Sequence, residues 1–141
     1  MNLYLDNCCM NRPFDDQSDR RIRLESEAVK VILSFCEQRC WHNIAQFEIE
    51  QIPDNSRRTK LKLVSGQADS AIRIDRVISS RAKAFEKKGM QAFDALHLAC
   101  AEDEADVFLT VDDDLRKRAV EIEDLKIPVS NPVAWLNEVL S

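Results

Sequence analysis

The stretch that decides the fold is Val107-Phe108-Leu109-Thr110-Val111, which is followed at once by Asp112-Asp113-Asp114. Its β-branched and aromatic residues show no polar alternation, which is typical of a strand buried on both faces, as in a parallel sheet. Aspartates directly after such a strand suit the beginning of a helix. The segment therefore predicts a buried parallel strand with carboxylates at its carboxyl end.

Working outward from this strand, short apolar segments alternate with helical ones along the chain. Further strands are predicted at 3–5, 41–45, 71–74 and 127–129, and helices at 20–38, 46–51, 54–64, 75–88, 91–103, 112–122 and 131–140. This alternation favours an α/β fold, a three-layer α/β/α sandwich with a mainly parallel sheet of four or five strands. Right-handed crossovers would place the carboxyl ends of the strands along one edge.

Composition indicates an ordinary globular protein. The chain has 141 residues, so we expect a single domain spanning 1–141. No basic, apolar leader opens the sequence, and no window reaches the ~18 apolar residues of a membrane helix, so we expect a cytoplasmic protein with no membrane partner. The five cysteines form no secretory pattern, and we expect reduced, buried thiols. With a net charge of −5, the composition does not imply tight unassisted binding of RNA.

Two predicted strands stop at a carboxylate, the first at Asp6 and the fourth along the chain at Asp112. Ligands of open α/β sheets bind outside the carboxyl ends of the strands. Two carboxylates gathered there repel each other unless a cation offsets their charge, and Mg²⁺ and Mn²⁺ prefer such oxygen ligands. The alternatives are a helix cap for Asp112 and a turn residue for Asp6.

Asp94 lies in the segment 91–103, which is apolar nearly all round and so predicts a buried helix. A buried carboxylate is costly unless it is paired or bound to metal, and the alternatives are a helix cap or an arginine partner. His97 follows one turn later and is a ligand, a proton carrier or, as is more common, a packed or hydrogen-bonded core residue. From spacing alone, Glu48 and Glu50 indicate only a solvated pair.

Four stretches in order resemble the PIN-domain nucleases, a family that includes VapC-like toxins of bacterial toxin–antitoxin systems. They are Leu3-Tyr4-Leu5-Asp6, Phe47-Glu48-Ile49, Phe93-Asp94-Ala95-Leu96-His97-Leu98-Ala99 and Phe108-Leu109-Thr110-Val111-Asp112. Asn131-Pro132 and the short helix after it are similar to the family's C-terminal end. Family members often carry Ser or Thr shortly before the glutamate, whereas this chain has 42–46 as His-Asn-Ile-Ala-Gln, which leaves Glu50 as an alternative to Glu48.

The resemblance implies a pocket that holds Mg²⁺ or Mn²⁺ and hydrolyses RNA phosphodiester bonds, with an antitoxin protein and a homodimer as further partners. The metal would lower the pKa of a bound water and offset charge on the phosphate. The implied metal-binding acids are Asp6, Glu48, Asp94 and Asp112. The implied supporting residues are Asp113 or, second to it, Asp114 as an outer ligand, Thr110 to orient a carboxylate or water, and Asn7 beside the pocket.

Two other functions compete with cleavage. A PIN-like module that binds RNA or protein without cutting would suit the acidic charge and the atypical segment before Glu48. A Mg²⁺-binding signalling domain of the receiver type would need a lysine near the end of the last strand, and Lys126 precedes that strand instead. Basic residues cluster at 57–62, 81–88 and 116–118, and each cluster suits either a solvated helix face or a contact with RNA.

Overall fold

The computed structural model describes residues 1–44 and 75–141, and these form a four-stranded sheet flanked by helices. The strands are β1 (Asn2–Leu5), β2 (His42–Asn43), β3 (Val107–Leu109) and β4 (Val129–Ser130). The helices are α1 (Asn7–Asn11), a 3-10 turn (Arg12–Phe14), α2 (Arg20–Glu37), α3 (Arg76–Lys87), α4 (Ala92–Glu104), α5 (Asp113–Val120) and α6 (Pro132–Leu140).

All described strands run parallel in the order β2-β1-β3-β4. The two central strands pair in register, with Leu3 opposite Val107 and Leu5 opposite Leu109. One more hydrogen bond, from the amide of Asp6 to the carbonyl of Leu109 at 2.9 Å, joins the two strands where both of them end. The predicted α/β class and parallel sheet are confirmed. Because the described strands are parallel, their carboxyl ends lie along one edge of the sheet, as predicted.

Side chains of the central strands alternate between two buried layers, which is the period of a β-strand. Tyr4 and Phe108 belong to a core shared with α3, α4 and α5, whereas Leu3, Leu5 and Leu109 belong to a core shared with α1, α2 and α6. Both faces of the sheet are therefore covered by helices. This is the three-layer α/β/α sandwich expected from the alternation of strands and helices.

Four helices begin at a polar cap whose side chain accepts a hydrogen bond from the backbone. The capping residues are Asp19, Asp75, Asp112 and Asn131. Such caps satisfy amides that have no partner inside the helix. From the sequence alone either Ser18 or Asp19 could cap α2, and the structure uses Asp19. Asn131 and Pro132 begin α6 as an N-cap followed by proline at the start of a helix predicts. Helix α3 ends before Gly89, whose φ of +97° favours glycine.

The structure differs from the sequence prediction in several element boundaries. The helix α1 was not expected, since its sequence Asn-Cys-Cys-Met-Asn carries no helical periodicity. Strand β3 ends at Leu109 rather than Val111, because the chain there turns into the cap of α5. Strand β4 covers Val129–Ser130 rather than 127–129. The predicted helices at 46–51 and 54–64 and the predicted strand at 71–74 lie outside the described residues.

All five cysteines are free thiols. Cys9, Cys36 and Cys100 are buried, as expected of structural thiols in a core. Cys40 is exposed and Cys8 is half-buried, so the expectation of burial was wrong for these two. No helix within 1–44 or 75–141 is long and apolar enough to cross a bilayer.

Candidate functional site at the carboxyl edge of the sheet

Asp6 and Thr110 occupy the ends of the two central strands. Asp6 follows β1 and is only 7% exposed, and Thr110 follows β3 and is fully buried. The hydroxyl of Thr110 donates a hydrogen bond to Asp6 Oδ2 at 2.8 Å. A buried carboxylate needs such a partner, because an unsatisfied charge in the interior is costly. The parallel register therefore produces the contact that the strand-end carboxylate requires.

Asp112 joins the same arrangement through the backbone. Its amide donates to the hydroxyl oxygen of Thr110 at 3.1 Å, so Thr110 bridges the two predicted acids. The Asp112 side chain caps α5, with Oδ1 accepting from the amides of Asp114 at 3.0 Å and Leu115 at 3.2 Å. The cap proposed as an alternative is thus present. Both cap bonds end on Oδ1, and none of the described residues donates a hydrogen bond to Oδ2. We call Asp6, Thr110 and Asp112 the strand-end cluster.

Two residues of α1 adjoin this cluster. Cys8 places its thiol between the two strands, donating to Asp6 Oδ2 at 3.2 Å and lying 3.3 Å from Thr110 Oγ1. Asn7, expected beside the pocket, is half-buried. Its Oδ1 is buried and accepts no hydrogen bond from any part of the chain that the structure describes. An acceptor of this kind costs free energy unless a cation, a water or another donor reaches it.

Asp94 lies in the first turn of α4 and is half-buried, not buried as the apolar helix pattern predicted. The reason is that the first turn of α4 projects past the core, so that Phe93 is 52% exposed. A carboxylate in this position also interacts favourably with the helix dipole. The argument from burial was therefore wrong for Asp94, and its proposed role depends on its position in the fold.

His97, in the same helix, contacts the first strand. Its ring packs edge-on against Tyr4, and the Tyr4 hydroxyl lies 2.5 Å from His97 Nδ1. His97 is one helical turn after Asp94, and Tyr4 is two residues before Asp6. This contact ties α4 to β1. A position of Asp94 beside Asp6 stays a prediction. His97 is a buried, hydrogen-bonded core residue, which was the more common of the two alternatives.

Asp113 is engaged by two arginines. Arg21 of α2 donates to both carboxylate oxygens at 2.8 Å, and Arg116 also bonds to Oδ1. The hydrogen bonds from Arg21, and then those from Arg116, hold the pKa of Asp113 far below its ordinary value. A role for Asp113 as an outer metal ligand stays a prediction. In this structure its oxygens face guanidinium groups.

The remaining predicted acids, Glu48 and Glu50, lie outside the described residues. Within residues 1–44 and 75–141, no three His, Cys, Asp or Glu side chains come together as a ready metal-binding group. The strand-end cluster supplies two acids and a hydroxyl. The addition of Asp94 to it stays a prediction. A role for Glu48 or Glu50 as a further metal ligand stays a prediction.

Sequence reasoning missed two residues near the cluster. Cys8 gave no signal beyond its position two residues after a strand end. Arg21 could have been paired with Glu25 from their i, i+4 spacing in a predicted helix. Its contact with Asp113, 92 residues away, follows from the packing of α2 against the sheet and has no local signature.

Comparison of the chain with protein-family models, with curated proteins and with solved structures found no match.

Proposed function

We propose that this protein is a divalent-metal-dependent endoribonuclease that hydrolyses RNA phosphodiester bonds at the carboxyl edge of its sheet. The observation that carries the proposal is the strand-end cluster, in which one threonine hydroxyl joins the ends of β1 and β3 and bonds to the buried Asp6. The reaction is the one that the sequence resemblance to PIN-domain nucleases implies, and the strand-end cluster supports its location.

The residues present fit Mg²⁺ or Mn²⁺ in their chemistry. Carboxylate, hydroxyl and amide oxygens dominate the site, and these are the donors that hard cations prefer. The buried Oδ1 of Asn7 is an acceptor in need of a positive partner, as a cation or its bound water would be. Asp6, Asp94 and Asp112 would hold the metal, with Glu48 or Glu50 as a further ligand. When bound, the metal would supply an activated water and offset phosphate charge.

The protein's own contribution is to hold these oxygens in fixed directions. Thr110 Oγ1 and Cys8 Sγ both lie at Oδ2 of Asp6, which fixes the rotation of the carboxylate. The cap bonds to Oδ1 of Asp112 do the same for the second acid. Ligands held in this way lose little freedom when they bind, which is how preorganised sites gain affinity.

Substrate would be held by basic residues near the site. Helix α5 is capped by Asp112 and carries Lys117 and Arg118, both exposed, in its last turn. In the cluster at 81–88, Arg81 is already bonded to Glu102 and Asp124, which leaves Lys83, Lys87 and Lys88 as its exposed members. Contacts of these residues with phosphates would position RNA without reading its sequence. An antitoxin protein and a homodimer complete the proposal as partners implied by the resemblance.

The experiment is an RNA cleavage assay with Mg²⁺ or Mn²⁺ that compares the wild type, Asp94→Asn and Asp103→Asn. Asp103 is the matched control, since it is an exposed aspartate of the same helix and lies nine residues, about 13 Å, along the helix axis from Asp94. We expect metal-dependent cleavage by the wild type and Asp103→Asn, and a loss of at least about 100-fold in Asp94→Asn. Equal cleavage by all three proteins would reject the proposed site.

A second candidate is a PIN-like module that binds RNA or protein without cutting. It is favoured by the engagement of Asp113 with two arginines and by the use of Asp112 Oδ1 as a helix cap, since both reduce the oxygens available to a metal. The two candidates differ in metal binding. A metal that binds the folded protein raises its melting temperature, and EDTA reverses the rise. No shift with millimolar Mg²⁺ or Mn²⁺ would favour the module.

A further inference from the structure

The two chain neighbours of Asp112 are both fastened to one side chain. Arg21 Nη2 donates to the carbonyl of Val111 at 3.2 Å, and Nη1 and Nη2 donate to the two oxygens of Asp113 at 2.8 Å each. We call these contacts the Arg21 clamp. A planar guanidinium can satisfy a carboxylate and a carbonyl at once because its donors form a fixed fork. The clamp therefore fixes the backbone on both sides of Asp112.

The Arg21 side chain is itself held in place by the buried Glu25. Arg21 Nε donates to Glu25, one turn further along α2, at 3.2 Å, and Glu25 is only 2% exposed. The same carboxylate accepts from Arg12 Nε at 3.0 Å and from Asn131 Nδ2 at 2.6 Å. Glu25 thus connects α2, the 3-10 turn and the cap of α6. A buried carboxylate with three donors has little freedom to move, and Arg21 shares its rigidity.

Among the residues that the structure describes, the positively and negatively charged side chains bonded into the clamp network are equal in number. Arg12, Arg21 and Arg116 carry three positive charges, and Asp15, Glu25 and Asp113 carry three negative ones, all within the same set of hydrogen bonds and ion pairs. A phosphate-binding patch would show an excess of positive charge. The balance favours a network that holds the backbone over one that receives an anion, although Arg21 is half-exposed.

We infer that Arg21 is a positioning residue, which fixes Asp112 in the strand-end cluster through its two chain neighbours and thereby sets the affinity of the site for metal. This inference rests on the proposed function, since it concerns the same site. Groups that orient a metal ligand without touching the metal commonly contribute 10–100-fold to affinity, as a general magnitude. A purely structural salt bridge would contribute to stability alone.

Arg81 provides a matched control. Its Nε and Nη2 donate to Glu102, at 2.7 and 3.0 Å, and its Nη1 and Nη2 donate to the side chain and carbonyl of Asp124, at 2.7 and 2.9 Å. Like the Arg21 clamp, this arrangement joins two carboxylates and one carbonyl. Its partner Glu102 lies near the end of α4, about 12 Å along that helix from Asp94. The chain enters β3 a few residues later, at the end of the strand opposite to the strand-end cluster.

The experiment measures Mn²⁺ affinity by calorimetry, the melting temperature, and kcat and KM for RNA cleavage in the wild type, Arg21→Gln and Arg81→Gln. We expect both variants to lose thermal stability and only Arg21→Gln to bind Mn²⁺ about 10-fold or more weakly. Its kcat should fall at sub-saturating Mn²⁺ and recover as Mn²⁺ is raised, and its KM for RNA at saturating Mn²⁺ should stay unchanged. If Arg21→Gln does not fold, Arg21→Lys is measured by the same criterion, because a lysine keeps the charge but cannot form the fork.

Three results would overturn the inference. If the Arg21 variant binds Mn²⁺ as tightly as the wild type, the clamp only stabilises the fold. The proposed function would still stand in that case, provided that the wild type cleaves RNA. A raised KM with unchanged Mn²⁺ affinity would show that Arg21 contacts RNA directly. A wild type that neither binds Mn²⁺ nor cleaves RNA would reject the proposed function together with the positioning role.

Discussion

The hydroxyl of Thr110 donates a hydrogen bond of 2.8 Å to Asp6 Oδ2, across 104 residues of sequence. The same oxygen of Thr110 accepts from the amide of Asp112. One small side chain at the end of β3 therefore connects the two strand-end acids. This explains why a threonine follows an otherwise apolar strand, since a valine there would satisfy neither partner.

The first prediction concerns this hydroxyl. Replacing Thr110 by Val keeps the shape and removes both hydrogen bonds, one of them to a buried carboxylate. A hydrogen bond to a charged group contributes about 1.5–3 kcal/mol, so we expect Mn²⁺ affinity and cleavage to fall by about 10-fold or more. Thr110→Ser keeps the hydroxyl and should stay within about threefold of the wild type. Equal losses in both variants would assign the effect to packing of the methyl group instead.

The second prediction concerns the buried Glu25. The substitution Glu25→Gln removes the buried charge to which Arg12 and Arg21 donate. Because Arg21 is half-exposed, solvent screens part of the loss, and we take the cost of a hydrogen bond to a charged group, about 1.5–3 kcal/mol. We expect a loss of stability of this size in urea denaturation. Glu27→Gln is the matched control on the same helix, because Glu27 pairs with Lys30 in solvent at 3.5 Å and should change stability by less than about 0.5 kcal/mol. Similar values for both variants would contradict the assigned role of Glu25.

The third prediction concerns pH. Because Arg21 and Arg116 hold the folded-state pKa of Asp113 far below its unfolded value of about 3.9, this carboxylate stabilises the fold above that pH. The contribution is lost as pH falls below about 4, when the unfolded chain takes up the proton first. The wild type should therefore melt above Asp113→Asn at pH 7, and the gap should narrow toward pH 3. A constant gap across this range would show that charge is not the cause.

The fourth prediction concerns the thiols. Burial raises the pKa of Cys9 well above its ordinary value and that of Cys100 to about 11, whereas Cys40 is exposed. Since the thiolate is the reactive form, iodoacetamide at pH 8 should modify Cys40 in the native protein and leave Cys9 and Cys100 unmodified. Peptide mass spectrometry gives the site of labelling, and labelling in denaturant is the control. Modification of Cys9 at the rate of Cys40 would contradict the packing of α1.

Part of the fold and of the site could be read from local sequence. The apolar run before Asp112 determined a buried strand, and the alternation of strands and helices determined a layered α/β fold. Asn131-Pro132 determined the start of α6, because capping chemistry acts between neighbouring residues. Parallel strands that end in aspartate determined that Asp6 and Asp112 would come to one edge.

Only the tertiary structure decided how those acids are held. The exposure of the first turn of α4, which removed the argument from burial for Asp94, depends on where the core ends and not on the composition of the helix. The contacts of Thr110 with Asp6, of Tyr4 with His97 and of Arg21 with Asp113 each join residues about 90 or more positions apart. Hydrophobic periodicity fixes which face of an element is buried. It does not fix the register and packing that bring distant polar atoms within hydrogen-bond distance.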